Sequence, residues 1–179
     1  GRIFNHAETD SGQYDNYADV FWSSGACMMI RSSVWKECGG FDSEFFAHME
    51  EIDLCWRINN RGYRIVFTPE SIVYHVGGAT LKNTNPQKTY LNFRNSLFTL
   101  VKNAKGNLMY LVFIRLILDG IAGIKFLIEL KPKHTFAIVK AHFAFYRRLS
   151  SLLNQRKVIN PSVKYYQKKS IVFQYFIKN

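Results

Sequence analysis

The second part of the chain has almost no acidic residues. From Pro86 onward, Asp119 and Glu129 stand against 17 lysines and arginines, a formal charge of +15. Through Asn85 there are 7 basic and 11 acidic residues, a formal charge of −4, and the whole chain carries +11. This asymmetry indicates two parts with different roles, which we place at 1–85 and 86–179.

Cysteine is also scarce. The three cysteines show no CxxC or other zinc-binding spacing, which argues against a zinc site. Each lies in a largely apolar stretch, so we expect buried, reduced thiols at Cys27, Cys38 and Cys55, as in a protein facing the cytosol. A starting Met and a signal-peptide pattern are both missing, so we expect the native N-terminus further upstream.

The composition excludes a disordered chain. Of the 179 residues, 47% are hydrophobic and 21% are charged, which suffices for one core of ordinary size. The front part alternates strand and helix signals, which predicts part of an α/β layer arrangement. The predicted elements are a buried strand over 19–31, a short helix with Ser32 or Ser33 as its N-cap and Gly39 at its end, a helix from Glu50 to Arg61 followed by Gly62, and strands over 63–67 and 72–75.

The back part is predicted to be helical over 88–102, 108–130 and 136–153. The segment 108–130 is long enough to cross about 30 Å of hydrocarbon. It contains four charges, however, and a charge at the bilayer centre costs about 2.5 to 3.5 kcal/mol. At helical spacing they form one stripe with two possible i,i+4 ion pairs, Arg115–Asp119 and Lys125–Glu129. We favour a helix lying in a membrane interface over a buried bundle helix or a true span.

The basic part also combines its charge with apolar and aromatic residues. Leu, Ile, Phe and Tyr recur at helical spacing, and lysines alternate with Tyr and Phe over 164–179. Such a pattern suits the headgroup layer of a membrane better than the phosphate groove of a nucleic acid. We therefore expect an anionic membrane surface and no nucleic acid as the partner.

Three carboxylates, Glu50, Glu51 and Asp53, open the helix predicted from Glu50. Acidic residues in a first turn can simply complement the helix dipole, which is worth about 0.3 to 1 kcal/mol each. These three lie beside Phe45 and Phe46, however, and a carboxylate at a partly apolar wall can serve as a general base. Both interpretations stay open at this point.

His75 ends the last predicted strand of the front part. A histidine in this position is either structural or a ligand for a divalent metal. Gly77-Gly78 follows directly, and such a glycine step lets backbone amides approach a phosphate. Neither signal is specific by itself.

The order of these motifs resembles the second half of family 2 glycosyltransferases, especially bacterial rhamnosyltransferase-like members. The resemblance extends from about Asp19 to Asn95 and implies the C-terminal, acceptor-side part of a GT-A nucleotide-diphospho-sugar transferase fold, followed by an α-helical basic extension. It rests on Ser24-Gly25-Ala26-Cys27, Ile30-Arg31, Gly39-Gly40-Phe41-Asp42, Phe45-Phe46, Glu50 to Arg57, Gly62, Pro69 and His75-Val76-Gly77-Gly78.

The resemblance implies roles for the acidic residues and the histidine. In the family, the second residue of an acidic pair deprotonates the acceptor hydroxyl, and Glu51 matches it with Glu in place of the usual Asp. Glu50 would support this base, and Asp53 would pair with a nearby cation or cap the helix. His75 matches the family's metal-binding histidine, which implies a divalent metal, Mg or Mn.

The resemblance also implies binding residues. Arg94 would contact a lipid-linked diphosphate, although a helix residue paired with a carboxylate is an equal alternative. The acceptor cleft would include Trp22, Ser24 and Gly25 with Phe41 and Asp42 in the loop above it, and the phosphate loop would include Gly77, Gly78 and Thr80.

The implied activity is an inverting transfer of a sugar from a nucleotide-diphospho-sugar to a hydroxyl of a lipid-linked saccharide, at the cytoplasmic face of the inner membrane. No DxD-like motif of the donor-binding half occurs in the chain. We therefore expect the donor half to be missing and the isolated chain to be inactive. The alternative is a non-catalytic membrane-tethering or saccharide-binding module derived from such an enzyme.

Overall fold

In a computed structural model, residues 9, 11–75 and 84–156 are described, and they form five helices and one short two-stranded ribbon. The helices α3, α4 and α5 make up most of the ordered structure. The elements are, in chain order, β1 (Ala18–Asp19), α1 (Ser32–Cys38), a 3-10 turn (Ser43–Phe45), α2 (Glu50–Asn60), β2 (Val66–Phe67), α3 (Pro86–Asn103), α4 (Leu108–Ile128) and α5 (Pro132–Gln155).

The two front helices agree with the sequence prediction. Helix α1 ends at Gly39, whose φ of 78° lies in the left-handed region that glycine adopts without a steric penalty. Its cap residue is Arg31, without a side-chain hydrogen bond, so the predicted cap at Ser32 or Ser33 is wrong. Helix α2 ends at Asn60, and Gly62 follows with a φ of 84°.

The predicted strands are mostly wrong. The antiparallel ribbon pairs Ala18 with Phe67 and Asp19 with Val66, and within the described residues no further strand forms over 20–31 or 72–75. A buried strand needs neighbouring strands for its backbone groups and a covering layer for its side chains. Met29 is 99% exposed, which shows that nothing described covers this segment. The expected α/β layering is therefore not formed in the described part.

The helices of the back part are confirmed: α3 and α5 extend a few residues beyond the predicted 88–102 and 136–153, and α4 ends at Ile128 within the predicted 108–130. Helix α3 begins with Pro86 at its first position, and the Asn85 side chain accepts a hydrogen bond from the Gln87 N–H. The Asn107 side chain caps α4 in the same way. Helices α3 and α5 pack together with the 3-10 turn around one buried core: Phe45, Leu97, Phe98, Val101, Phe145 and Leu152.

Helix α4 turns part of its charged stripe toward the bundle. Arg115 and Asp119 form the predicted ion pair at 2.6 Å, and His142 of α5 lies 3.1 Å from the second Asp119 oxygen. Arg115 also donates to Ser96 of α3, and Asp119 is only 2% exposed. The second predicted pair, Lys125–Glu129, forms at 3.8 Å. The helix is thus held by polar contacts at its inner side.

The outer side of α4 is apolar and exposed. Within 9, 11–75 and 84–156, no helix is long and apolar enough to cross a membrane, because Arg115, Asp119 and Lys125 interrupt α4. Residues 164–179, for which contact with a membrane headgroup layer was predicted, lie outside the described residues. The exposed apolar side chains of α4 are Met109, Tyr110, Phe113, Ile114, Ile117, Leu118, Ile121, Ile124, Leu127 and Ile128.

A second small core joins α1 to α2. Val34 and Cys38 of α1 pack on Leu54 and Ile58 of α2. All three thiols are free, and burial raises the pKa of Cys38 and of Cys55 above the ordinary value. Cys27 is exposed, so the expectation of burial is wrong there, because its segment does not form the buried strand that was predicted.

Candidate active site

Glu50 and Glu51 occupy the first turn of α2, where the helix dipole favours negative charge. Both side chains are half-buried, and one carboxylate oxygen of each is buried. Among the described residues, the buried Oε2 of Glu50 has no hydrogen-bond partner. A buried acceptor without a partner costs free energy, and such atoms are often reserved for a ligand.

The segment just before α2 is strained. Phe46, His48 and Met49 have φ values of 61°, 68° and 75°, a region that residues with a side chain rarely adopt. Each such residue costs about 1 to 3 kcal/mol unless its surroundings hold it in place. Met49 is also the N-cap residue of α2, where its carbonyl accepts from the Asp53 N–H at 2.8 Å. The first turn of α2 is thus built on a strained backbone.

Two side chains of α3 hold this segment. The buried amide nitrogen of Asn95 lies 2.9, 2.8 and 2.7 Å from the carbonyl oxygens of Phe45, Ala47 and His48. Arg94 donates to the carbonyls of Glu44 and Phe45 at 2.8 and 3.1 Å. The Arg94 Nη2 therefore binds backbone carbonyls, and the proposed contact with a lipid-linked diphosphate stays a prediction.

Asp53 is fully buried and joins α2 to α3. It lies 2.8 Å from Arg57 and 3.0 Å from Lys102, and it accepts from Asn103 at 2.7 Å. The predicted pairing of Asp53 with a nearby cation is confirmed. Because every contact of this carboxylate is internal, its geometry suits positioning of the helix.

Lys102 also reaches the loop that precedes the strained segment. Its ammonium lies 2.7 Å from Asp42, which caps the 3-10 turn by accepting from the Glu44 N–H. Burial raises the pKa of the Asp42 carboxyl, but these two hydrogen bonds and the charges of Lys102 and Arg57 outweigh it. The pKa of Asp42 therefore lies below its ordinary value.

The loop after α1 is fastened by Arg57. The Arg57 guanidinium donates to the backbone carbonyls of Cys38 and Gly40 while it pairs with Asp53. Gly40 has a φ of 63°, and a Cβ there would lie 2.8 Å from the Trp35 ring. Phe41 meets the same ring edge-on, at 5.1 Å between centroids. This loop is closely packed against α1 and α2.

A groove of about 1160 Å³ lies beside α2. The predicted acceptor residues Trp22, Ser24 and Gly25 line it, together with Cys55 of α2. A Cβ on Gly25 would come within 3.9 Å of the Glu51 Cβ, so the groove and the proposed base are neighbours. Phe41 and Asp42 instead line a second cavity of about 480 Å³.

The predicted metal and phosphate residues are not assembled into a site. His75 is exposed, in a segment without regular structure. Nowhere in the described ranges do three His, Cys, Asp or Glu side chains come together as a metal site would require. The side chains present therefore do not by themselves fit a metal centre. Gly77, Gly78 and Thr80 lie outside the described residues.

Sequence reasoning missed the residues of α3 that organise the site. It noted Asn95 without a role and gave none to Lys102 or Asn103. Their signal was present in the sequence: Asn95 and Lys102 are seven positions apart and so share a face of a helix whose neighbouring positions are apolar. Polar residues on such a face need internal partners.

The chain is similar to known sugar transferases over its front part. Residues 2–90 match the model of a family described as "Glycosyltransferase like family 2". An N-acetylglucosaminyl-diphospho-decaprenol L-rhamnosyltransferase of Mycobacterium tuberculosis is 39% identical over 56 residues, which cover 31% of this chain and 18% of that protein.

Two further relatives come from other organisms. The rhamnosyltransferase WbbL of Escherichia coli is 36% identical over 61 residues, 33% of this chain and 23% of the relative. A low-salt glycan biosynthesis hexosyltransferase, Agl10, of Haloferax volcanii is 30% identical over 87 residues, 47% of this chain and 28% of the relative. The similarity thus spans less than a third of the length of each relative. No solved structure matches the chain significantly.

Proposed function

Because this chain belongs to the glycosyltransferase-like family 2 through its residues 2–90, we propose that it is the acceptor-side part of an inverting glycosyltransferase. Family membership implies a GT-A fold for the matched segment, although its described residues form few strands. The donor is a nucleotide-diphospho-sugar, and the acceptor is a hydroxyl of a lipid-linked saccharide. The name of the Mycobacterium tuberculosis relative, which includes N-acetylglucosaminyl-diphospho-decaprenol, supports this class of acceptor, and the names of both rhamnosyltransferases support the reaction.

One observation carries the proposal. Glu51 stands at the start of α2, directly beside Gly25 and the groove that Trp22 and Ser24 line. We propose that the Glu51 side chain reaches from this position to a hydroxyl bound in the groove. A general base must lie within hydrogen-bond reach of the proton that it removes, and the nearness of the Glu51 Cβ to Gly25 supports this role.

The proposed reaction is a single displacement. The acceptor O–H gives its proton to the Glu51 carboxylate while its oxygen forms a bond to the anomeric carbon of the donor sugar. The bond between that carbon and the diphosphate breaks, and its electron pair leaves with the nucleoside diphosphate. Attack from the side opposite the leaving group inverts the anomeric configuration. Glu50, half-buried beside Glu51 in the first turn of α2, would support this base.

Enzymes of this family in general depend on a divalent metal, Mg or Mn in our proposal. Such an ion would neutralise charge on the departing diphosphate. His75 could supply one ligand, and the remaining ligands are not among the groups that the described residues bring together. We expect His75→Ala to weaken metal-dependent turnover more than thermal stability, and an equal loss of both would assign His75 a structural role.

The back part is proposed to bind an anionic membrane surface through the outer side of α4. This helix is polar toward the bundle, at Arg115 and Asp119, and apolar toward the outside, with Ile121 and Ile124 about 60% exposed. In water such an exposed apolar face is unfavourable, whereas the acyl boundary of a membrane would cover it. The lysines and arginines of this part suit anionic headgroups. We propose that this attachment is peripheral and lies at the cytoplasmic face of the inner membrane.

The test is a transfer assay with the whole protein that carries this sequence. Nucleotide-diphospho-sugars are offered with a lipid-linked saccharide, and NMR of the product gives the anomeric configuration. We expect transfer with inversion. Retention would contradict the mechanism. Binding of saccharide or of vesicles with no transfer from any donor would favour the non-catalytic module instead.

A further inference from the structure

Helix α3 contacts the chain on both sides of the acidic start of α2. On the N-terminal side, Asn95 binds the carbonyls of the segment that leads into Glu50. On the C-terminal side, Lys102 and Asn103 bind Asp53, two residues beyond Glu51. The spacing of seven between Asn95 and Lys102 puts both on the face of α3 that meets α2.

The carbonyls that Asn95 binds converge because of the strained backbone. An extended chain alternates the direction of its carbonyls, but Phe46 and His48 have φ values of 61° and 68°, and the oxygens of Phe45, Ala47 and His48 all come within 2.9 Å of one nitrogen. Without a donor at their centre, these oxygens would repel one another, and those of Ala47 and His48 would lose the hydrogen bonds that Asn95 gives them. The Phe45 oxygen would still accept from the Ala47 N–H and from Arg94. The Asn95 amide is therefore what makes this conformation tenable.

The orientation of the Asn95 amide is itself fixed. Arg94 Nε donates to Asn95 Oδ1 at 2.8 Å, so the amide oxygen is committed and the nitrogen must face the carbonyls. Arg94 is in turn held by the carbonyls of Glu44 and Phe45 and lies over the Phe98 ring, 5.3 Å from its centroid. Each member of this set has more than one contact. Such sets keep a single geometry.

From these contacts we propose that Asn95, oriented by Arg94, is a positioning residue that fixes the strained segment 46–49 and thereby aims Glu50 and Glu51 into the site. The role of Glu51 in this inference rests on the proposed function. The claim that Asn95 holds the segment 46–49 does not depend on that function. Asn95 touches no substrate in this scheme. It acts through the backbone that carries the base.

The test compares Asn95→Asp with a core variant of similar stability cost. Asn95→Asp keeps the side-chain shape and replaces the donor with an acceptor facing three carbonyls. Leu152→Ala, in α5, opens a cavity in the same core but removes no hydrogen bond from the segment. Asn95→Ala is a second variant of this residue, which removes the donor without adding charge, in case Asn95→Asp does not fold.

Two measurements are made on the whole protein. Hydrogen exchange of the amides of 46–53 is expected to accelerate about tenfold or more in the Asn95 variants and not in Leu152→Ala. The kcat for transfer is expected to fall about 10²-fold, because a shift of about 1 Å in a catalytic group has that effect, while the donor KM is unchanged. Leu152→Ala should keep kcat when compared at equal folded fraction.

The outcomes separate the two claims. Unchanged hydrogen exchange in the Asn95 variants, or an equal increase in Leu152→Ala, would contradict the claim that Asn95 holds the segment 46–49. Faster exchange with an unchanged kcat would overturn the positioning role. A wild-type protein that transfers no sugar would refute the proposed function, and the exchange measurement would then decide by itself whether Asn95 holds the segment.

Discussion

The front and back parts of the chain differ in the size of their elements and in how much core they form. In the front part, over 11–75, elements are short and large apolar side chains such as Met29 and Tyr74 are almost fully exposed. In the back part, the long helix α4 directs Arg115 and Asp119 inward and its isoleucines outward. The front therefore has little core of its own, whereas the back has a core and a surplus apolar surface.

This difference explains why α3 matters to both parts. Its apolar residues pack on α5, and its polar residues Asn95, Lys102 and Asn103 reach forward to α2 and the loop before it. Of the front elements, α2 and the 3-10 turn contact α3, and α1 is joined to them through α2. The site thus takes its rigidity from the helical part, and the chemistry comes from the front.

The largest expected effect on stability comes from removing the contacts that Lys102 of α3 makes with Asp53 and Asp42. Lys102→Met leaves Asp53 buried with one cation fewer and Asp42 without its ammonium partner. Removing one member of a buried ion pair costs about 3 to 5 kcal/mol, which urea unfolding should detect as a lower midpoint. Lys125→Met is the matched control, because its exposed pair with Glu129 contributes about 0 to 1 kcal/mol. Equal midpoints for the two variants would contradict the comparison.

A smaller effect is expected at the loop after α1. Gly40→Ala imposes a φ of 63° on a residue with a Cβ and drives that Cβ to 2.8 Å from the Trp35 ring. Gly39→Ala adds only the backbone strain of a positive φ, about 1 to 3 kcal/mol, and no steric clash, because nothing lies within 4 Å of its Cβ. Thermal unfolding should therefore rank Gly40→Ala below Gly39→Ala. The reverse order would show that the ring yields freely and that this loop is loosely packed.

A still smaller effect is expected from Asp42, and it depends on pH. Its pKa is lowered in the folded state, so its contribution is present above the unfolded-state pKa and is lost as the pH falls through the folded-state pKa. Asp42→Asn keeps the cap on the 3-10 turn but removes this titration. The variant should lose less stability than wild type as the pH is lowered below about 4. Parallel pH profiles in urea unfolding would contradict this.

The smallest effect on stability is expected on the outer side of α4. Ile121→Ser with Ile124→Ser changes exposed positions, so the free energy of unfolding should shift by no more than about 0.5 kcal/mol. Sedimentation with anionic vesicles should nevertheless fall several-fold. Ile72→Ser, at a front position that is 74% exposed, is the control and should leave vesicle binding intact. A similar loss for the control would remove the distinction between the two surfaces.

The sequence predicted helices much better than strands, for a physical reason. Helices α2 to α5 satisfy their backbone groups internally, so caps, glycines and periodicity indicate their positions with good accuracy. The strand predicted over 19–31 depends on neighbouring strands that the described residues do not supply. The same applies to 72–75, where Tyr74 is 97% exposed.

The site was predictable in its acidic residues and less so in its supports. The three carboxylates at the start of α2 and the groove residues Ser24 and Gly25 were identified from the order of motifs. The contacts of Asn95 with the segment were not identified, because they depend on the positive φ angles of Phe46 and His48. Neither residue type indicates such an angle. Long-range polar contacts of this kind need a structure.

The most direct test of the central claim is the kcat of Glu51→Gln in the whole protein, measured at saturating donor and acceptor. The amide cannot accept the proton, so we predict a loss of about 10² to 10⁴-fold with an unchanged Tm. Glu129→Gln, in an exposed ion pair outside both cavities, serves as the control and should keep its kcat. A Glu51→Gln enzyme that retains wild-type kcat would contradict the account.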